Sequence, residues 1–256
     1  MTYSTAEMMT VAAARELAND DVCFVGIGLP SAACNLARLT HAPRITLIYE
    51  SGTLATKPDV LPLSIGDGEL CDTALNTVSV PEIFRYWLQG GRITIGFLGG
   101  AQVDRFGNLN STVVGPYERP KVRLPGSGGA CEIGISCGEI FLILQHNPRS
   151  FVAEVDFVTT LGHGRTGRER RELGIPTKGP TLLVTDLCIM RPDPETNEFV
   201  VVSLHPSVSR ERIQEQTGWP VRFANEVTET TPPSHDELEV LRDLKKRTAH
   251  AHGSFA

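Results

Sequence analysis

Val22-Cys23-Phe24-Val25-Gly26-Ile27-Gly28-Leu29-Pro30 sets a short apolar run against a glycine turn and a proline. The run suits a buried parallel strand. Gly26 and Gly28 turn the chain, and Pro30 fits the first turn of a helix whose packing face is Ala32, Ala33, Leu36, Ala37 and Leu39. Upstream, Ser4-Thr5-Ala6-Glu7 is a capping box opening an amphipathic helix with Met8, Met9, Val11, Ala12 and Leu17, which ends in the turn Asn19-Asp20-Asp21. Downstream, Ile45-Thr46-Leu47-Ile48-Tyr49 reads as a second buried strand. Helix-strand-helix-strand in this order predicts a right-handed parallel crossover. The fold class is therefore α/β, an open mostly parallel sheet flanked by helices.

Farther along, Pro81 to Leu88 reads as a helix stopped by Gly90-Gly91, and Arg92 to Val103 as a strand broken at Gly99-Gly100. Asp104-Arg105-Phe106-Gly107-Asn108 is a turn sequence. Phe141 to Leu144, Thr181 to Val184 and Phe199 to Leu204 are strand candidates, and Pro206 to Thr217 a helix packed through Val208 and Ile213. His163 to Gly179, rich in glycine and arginine, reads as a surface loop whose charges face solvent. Thr230-Thr231-Pro232-Pro233 is a linker, and Ser234 with Glu237 caps a last helix over about 234–248. The small, polar tail from Ala249 is expected to fray. No composition shift marks a boundary, so residues 1–256 are read as one domain.

With 41% hydrophobic and 21% charged residues, the composition is that of an ordinary globular protein. A net charge of -6 argues against general nucleic-acid binding. No signal peptide is expected, since no basic stretch precedes an apolar one at the N-terminus, and no apolar run is long enough to predict a membrane span. The six cysteines form no C-x-x-C pair and read as reduced core residues of a cytoplasmic protein. The histidines lack metal-ligand spacing, so no metal is expected.

The chemistry concentrates in two places. Glu50-Ser51-Gly52 follows directly on the second strand. A carboxylate is costly to bury for packing alone, and a small turn would leave it at a sheet rim, where α/β proteins bind ligands. A structural reading, Glu50 as a helix cap or ion-pair partner, competes with the functional one. Gly126-Ser127-Gly128-Gly129-Ala130 offers bare backbone amides that suit a developing oxyanion, or it is merely a flexible loop. The Gly26-Ile27-Gly28 turn allows three readings. It could be a dinucleotide fingerprint, though Ser31 stands where the third glycine belongs. It could receive an anionic ligand group at helix amides. It could be a tight turn needing glycine only for its conformation. Neither Ser51 nor Ser127 lies in G-x-S-x-G, so serine-hydrolase chemistry is not indicated.

Taken together, four motifs resemble the B subunit of family I CoA-transferases. They are Gly26-Ile27-Gly28-Leu29-Pro30, Tyr49-Glu50-Ser51-Gly52, Gly99-Gly100-Ala101-Gln102-Val103-Asp104 with Gly107-Asn108, and Gly126-Ser127-Gly128-Gly129-Ala130. The resemblance runs from about Thr5 to about Leu241. It points to the branch holding glutaconate and 3-oxoadipate CoA-transferases. Phe84 to Arg92 and Thr185 to Met190 look most like the 3-oxoadipate enzymes.

The resemblance implies a CoA-transferase/NagB-like fold, with Glu50 as nucleophile and Gly128 and Gly129 as the oxyanion pair. Gly26, Gly28, Ser51 and Gly52 are the candidate substrate-binding positions. It implies CoA moving from succinyl-CoA to 3-oxoadipate through a glutamyl-CoA thioester, with coenzyme A as substrate and no cofactor. It also implies a separate A subunit, an active site between the two, and an A2B2 heterotetramer. A glutaconate-type transferase and an acyl-CoA hydrolase on the same fold remain alternatives. So does a non-catalytic ligand sensor, disfavoured by the lack of an attached DNA-binding region.

Overall fold

In the computed structural model, which describes residues 2–253, the chain leaves one compact unit after Phe97, builds a second over Leu98–Thr231, and returns at Pro232. The return lies within the predicted linker.

The first unit starts with α1, Thr5–Ala14, whose capping box forms as read: the Ser4 hydroxyl accepts from the Glu7 amide and the Glu7 carboxylate from the Ser4 amide. The helix is not amphipathic, however. Glu7 and every residue from Met8 to Ala14 are buried, because α1 packs against both α2, Leu29–Leu39, and the C-terminal helix, His235–Ala251. Arg15 grips Glu237 with two bonds of 2.7 Å, and Arg242 binds Glu7 at 2.8 Å. The hydrogen bond from Arg242 holds the Glu7 carboxyl down at about 2. The C-terminal helix has its predicted capping box and runs beyond residue 248 to Ala251; residues 254–256 of the expected frayed tail lie outside the described residues.

The first unit also holds a five-strand run in the order β5-β1-β2-β3-β4. β1 is Val22–Phe24, β2 Thr46–Ile48, β3 Thr53–Leu54, β4 Asn76–Thr77 and β5 Ile95–Leu98. β1 pairs parallel with β2, Cys23 opposite Leu47, and parallel with β5. β3 and β4 extend the run antiparallel. A short helix, α3, occupies Gly68–Asp72. The expected helix at Pro81 begins as α4, Val80–Glu82, but widens into a π turn over Ile83–Leu88 that buries Ile83 and Leu88. The strand expected from Arg92 starts only at Ile95.

In the second unit, β6 (Gln102–Val103) and β7 (Leu109–Asn110) form a hairpin, as do β8 (Val113–Val114) and β9 (Val122–Arg123). α5 is Ala130–Ser136, β10 Glu139–Ile143, α6 Glu169–Glu172, β11 Pro180–Val184, β12 Cys188–Pro192, β13 Phe199–Leu204, α7 Arg210–Glu215 and β14 Arg222–Glu229. The strands run β14-β13-β12-β11-β10, parallel at β10/β11 and β13/β14 and antiparallel between.

Three expectations change here. The 163–179 stretch is not a solvated loop: it contains α6, and His163 and Arg170 are each 5% exposed. Cys71 and Cys131 are exposed, while the other four cysteines are buried; all six are free thiols. β12 and β14 arise where the sequence announces no strand.

Buried histidines make the second unit acid-sensitive. Burial lowers His146 to about 3, with its Nε2 bonded to Thr217 Oγ1 at 2.8 Å and its ring stacked on Phe151 at 3.7 Å. His163 and His205 are also lowered, chiefly by burial. These groups stay neutral when folded but take up a proton when unfolded below about pH 6.5. The unfolded state then binds more protons, so stability is intact above that pH and falls as pH drops toward 3. Each such histidine steepens the loss by at most about 1.4 kcal/mol per pH unit. Urea unfolding at pH 7 and pH 5 should show a clear loss for the native chain and a smaller one for His146→Gln. Equal losses would contradict this reading.

Candidate active site

β1 and β2 run parallel and side by side, so their carboxyl ends bring two turns to one rim of the first unit. The turn after β2 is Tyr49-Glu50-Ser51-Gly52, closed by the Gly52 amide donating to the Tyr49 carbonyl at 3.0 Å. Tyr49 itself is fully buried, and its hydroxyl meets Ser31 Oγ at 2.8 Å. That bond ties the turn to the first turn of α2. Burial pushes the Tyr49 phenol above its ordinary range, so it stays protonated.

Gly52 is required by its conformation and its surroundings. Its φ is 111°, and a Cβ there would lie 1.9 Å from the Val78 carbonyl oxygen. The Gly52 carbonyl accepts from the Val78 amide at 2.9 Å, which holds the Val78 backbone against the turn. Gly52→Ala is expected to cost at least about 2 kcal/mol from the φ strain and clash combined, read as a fall in urea midpoint with unchanged slope.

The turn leaves Glu50 half-exposed. Its carboxylate has no hydrogen bond or ion pair among the described residues. The competing structural reading, a cap or salt-bridge partner, has no contact here to support it. Two hydroxyls next to it in sequence, Ser51 Oγ and Thr53 Oγ1, are sealed from solvent and have no hydrogen-bond partner among the described residues.

The turn after β1 separates its two glycines. Gly28 caps α2 at φ 82°, ψ -126°, a conformation open essentially to glycine alone. Gly26 has no such need: a Cβ there would come no nearer than 3.6 Å to Pro30. At the start of α2 the amides of Leu29 and Ser31 find no acceptor among the described residues. Those donors, at the positive end of an eleven-residue helix, suit an anionic group.

In the second unit, Gly126 to Ala130 forms a turn entering α5, exposed at Ser127 and Gly128. Gly126 has φ 105° and Gly128 φ 47°, and Gly129 caps the helix. Ser111 fixes the entry: its carbonyl accepts from the Gly126 amide at 2.9 Å and its hydroxyl donates to the Gly126 carbonyl at 2.8 Å. The Ala130 amide is spent on the Ser127 carbonyl, while those of Gly128 and Gly129 donate to nothing among the described residues. Two free neighbouring amides on glycines are the donors an oxyanion needs.

The Gly99 to Asn108 motif serves architecture. Gln102 accepts from Asn110 Nδ2 at 2.6 Å and donates to Asp156 at 3.0 Å, and Asn108 bonds Asp104 and the Gly164 carbonyl. These bonds hold the β6–β7 hairpin from which Ser111 follows.

Sequence reasoning missed Arg170. Its guanidinium donates to the carbonyls of Leu161, Gly162, Gly134 and Thr177 and to Thr177 Oγ1, with no carboxylate among these partners. Gly134 lies in α5, so a cation sits against the carboxyl half of the helix that Gly129 caps, where it is electrostatically favoured. Burial alone lowers it to about 10, and it remains charged at neutral pH. Ser111 and Thr53 were missed as well, and no sequence signal distinguishes either. Among the described residues no helix is long and apolar enough to cross a membrane, and no three or more His, Cys, Asp or Glu side chains cluster as metal ligands.

The Coenzyme A transferase family model matches residues 6–216, most of the chain. The B subunit of 3-oxoadipate CoA-transferase from Pseudomonas knackmussii is 62% identical over 251 residues, covering 98% of this chain and 96% of that one. The B subunit of glutaconate CoA-transferase from Acidaminococcus fermentans is 36% identical, covering 94% and 92%. The crystal structure of the glutaconate coenzyme A-transferase from Acidaminococcus fermentans superposes with a TM-score of 0.88 at 32% identity, over 94% of each chain. The expected α/β CoA-transferase fold is therefore the observed one, and the chain belongs to the coenzyme A transferase family.

Proposed function

We propose that the chain is the B subunit of a cytoplasmic CoA-transferase that moves CoA from succinyl-CoA to 3-oxoadipate in aromatic-compound degradation. We further propose that it works with an A subunit in an A2B2 assembly. The observation that carries the reading is Glu50, a partly exposed carboxylate with no partner among the described residues, presented by a turn in which a Cβ at Gly52 would clash with the Val78 carbonyl. The 62% identity to a 3-oxoadipate CoA-transferase subunit supports the choice of acids. The six free cysteines fit a reducing compartment.

The chemistry follows from a carboxylate nucleophile. A Glu50 oxygen attacks the thioester carbonyl carbon, and the developing oxyanion needs backbone donors, the role that the family resemblance gives to the amides of Gly128 and Gly129. The C–S bond breaks, CoA leaves as thiolate, and an anhydride joins Glu50 to succinate. The thiolate then attacks the Glu50 carbonyl and succinate departs as carboxylate, leaving Glu50 as a thioester of CoA. The acceptor carboxylate runs the same steps backward and restores the free glutamate. The family resemblance assigns the substrate side to Gly26, Gly28, Ser51 and Gly52, and the unspent α2 amides support an acid carboxylate there. No net charge or redox change occurs, so coenzyme A as substrate suffices and no cofactor or metal is assigned.

Succinyl-CoA supplied to the complex with its A subunit should be consumed beyond one equivalent per Glu50 only when an acceptor acid is present, and faster with 3-oxoadipate than with glutaconate. Equal consumption without acceptor would make the protein an acyl-CoA hydrolase instead.

A further inference from the structure

The β8–β9 hairpin gathers cations without counter-ions. Over Tyr117–Arg123 the cations Arg119, Lys121 and Arg123 outnumber one carboxylate, Glu118, in a chain whose net charge is -6. All three cations are exposed, and none makes a side-chain hydrogen bond or ion pair among the described residues. Lys121 and Arg123 lie two residues apart on one extended strand and so share a face. Like charges so placed repel each other until an anion arrives. The Arg123 guanidinium lies 5.2 Å from the centroid of the Tyr117 ring, which is itself stacked on Phe157 at 5.4 Å. A guanidinium held over an aromatic ring keeps its planar fork of N–H donors for another partner. The Asp156 carboxylate, next to Phe157 in sequence, is already taken by the Gly115 amide at 2.9 Å and Gln102 Nε2 at 3.0 Å.

The hairpin is tied to the glycine turn. Beyond the strands proper, the amides of Lys121, Leu124 and Gly126 donate to the carbonyls of Val114, Thr112 and Ser111 at 2.8, 3.0 and 2.9 Å. At the rise of an extended strand, Arg123 stands roughly 10 Å from Gly126, the residue that opens the turn. The cations are thus set apart from the amides of Gly128 and Gly129 but on the same hydrogen-bonded element. The acids of the proposed reaction carry a carboxylate within a few bonds of the reacting carbon, too close to need so remote a cation. Coenzyme A carries its phosphates at the end remote from its sulfur. Resting on the reading of Gly128 and Gly129 as donors to the thioester oxyanion, we propose that Arg123 and Lys121, with Arg119, form the subsite that binds the phosphates of coenzyme A. Arg123 offers its fork and Lys121 a point charge. Tyr117 is a positioning residue that holds Arg123 for that contact.

The test titrates free coenzyme A into the complex with its A subunit, by calorimetry at low and at high salt. Lys121→Gln combined with Arg123→Gln removes both charges of the shared face. The double variant should bind coenzyme A about tenfold more weakly at low salt, the effect of two exposed charge pairs. Its binding should also depend less on salt. Tyr117→Leu, which leaves every charge in place, should weaken binding a few-fold, while Tyr117→Phe, which keeps the ring, should not. Unchanged affinity in the double variant overturns the proposal. So does a loss that comes only with a lowered Tm or with failure to assemble with the A subunit, which would assign the hairpin to folding or to subunit contact. Binding that the substitutions weaken, in a complex that transfers no CoA, would uphold the subsite and refute the transferase reading. Active transfer with an affinity that the substitutions leave untouched would do the reverse.

Discussion

Glu50→Gln in the complex with the A subunit is expected to lose at least about 10⁴-fold in transfer rate, the scale on which removal of a nucleophile acts. Glutamine has nearly the same shape, but its amide cannot form the anhydride or carry CoA as a thioester. The substitution should leave the fold intact, because Glu50 makes no hydrogen bond or ion pair among the described residues. Stability should change by no more than about 0.5 kcal/mol, as for a surface replacement away from special features. Tm and transfer rate measured on the same preparation separate the two effects. A variant that keeps even a tenth of the activity would remove Glu50 from the mechanism. One that loses activity and unfolds would point to a structural role.

Arg170→Met is the second large effect, with the opposite profile. Removing the guanidinium leaves the carbonyls of Leu161, Gly162, Gly134 and Thr177 without that donor inside the second unit. Each acceptor stranded in this way costs on the order of 1–3 kcal/mol before relaxation. A total of about 4 kcal/mol or more is expected. For a chain of this length that is a fall in Tm of roughly 8–16 °C. Arg170→Lys should recover only part, since one ammonium cannot reach several diverging carbonyls from a single point. A loss within 1 kcal/mol for Arg170→Met would show that these carbonyls find other donors.

The strands and helices that present the rim were legible because their signals are local. The apolar runs at Val22 and Ile45, the proline at the start of α2 and the serine–glutamate capping boxes each state their structure within a few residues. β14 was not legible because Arg222–Glu229 is a polar, half-exposed edge strand with no apolar alternation to read. β12 was missed because Cys188–Pro192 carries a charge and ends in proline, which cannot donate to a ladder and argues against a strand within a sheet. The π turn at Ile83–Leu88 hides inside a sequence with ordinary helical spacing.

Within the candidate site, Glu50, Ser51 and Gly52 stood out as a carboxylate and small residues at a strand end. Gly28, Gly128 and Gly129 were visible as glycines, but only backbone angles and unspent amides separate their roles from that of Gly26. Arg170 read as surface charge because composition does not reveal that nearby carbonyls converge on one side chain. The unmet hydroxyls of Ser51 and Thr53 were invisible for the same reason: satisfaction of a polar group is a property of the packed chain.

The most direct measurement is the covalent state of Glu50. The complex with its A subunit is incubated with succinyl-CoA, trapped with borohydride, digested and read by mass spectrometry. The account predicts that the Glu50 side chain is reduced to the alcohol, in proportion to the acyl-CoA consumed. An unmodified Glu50 in a complex that is actively transferring CoA would contradict it.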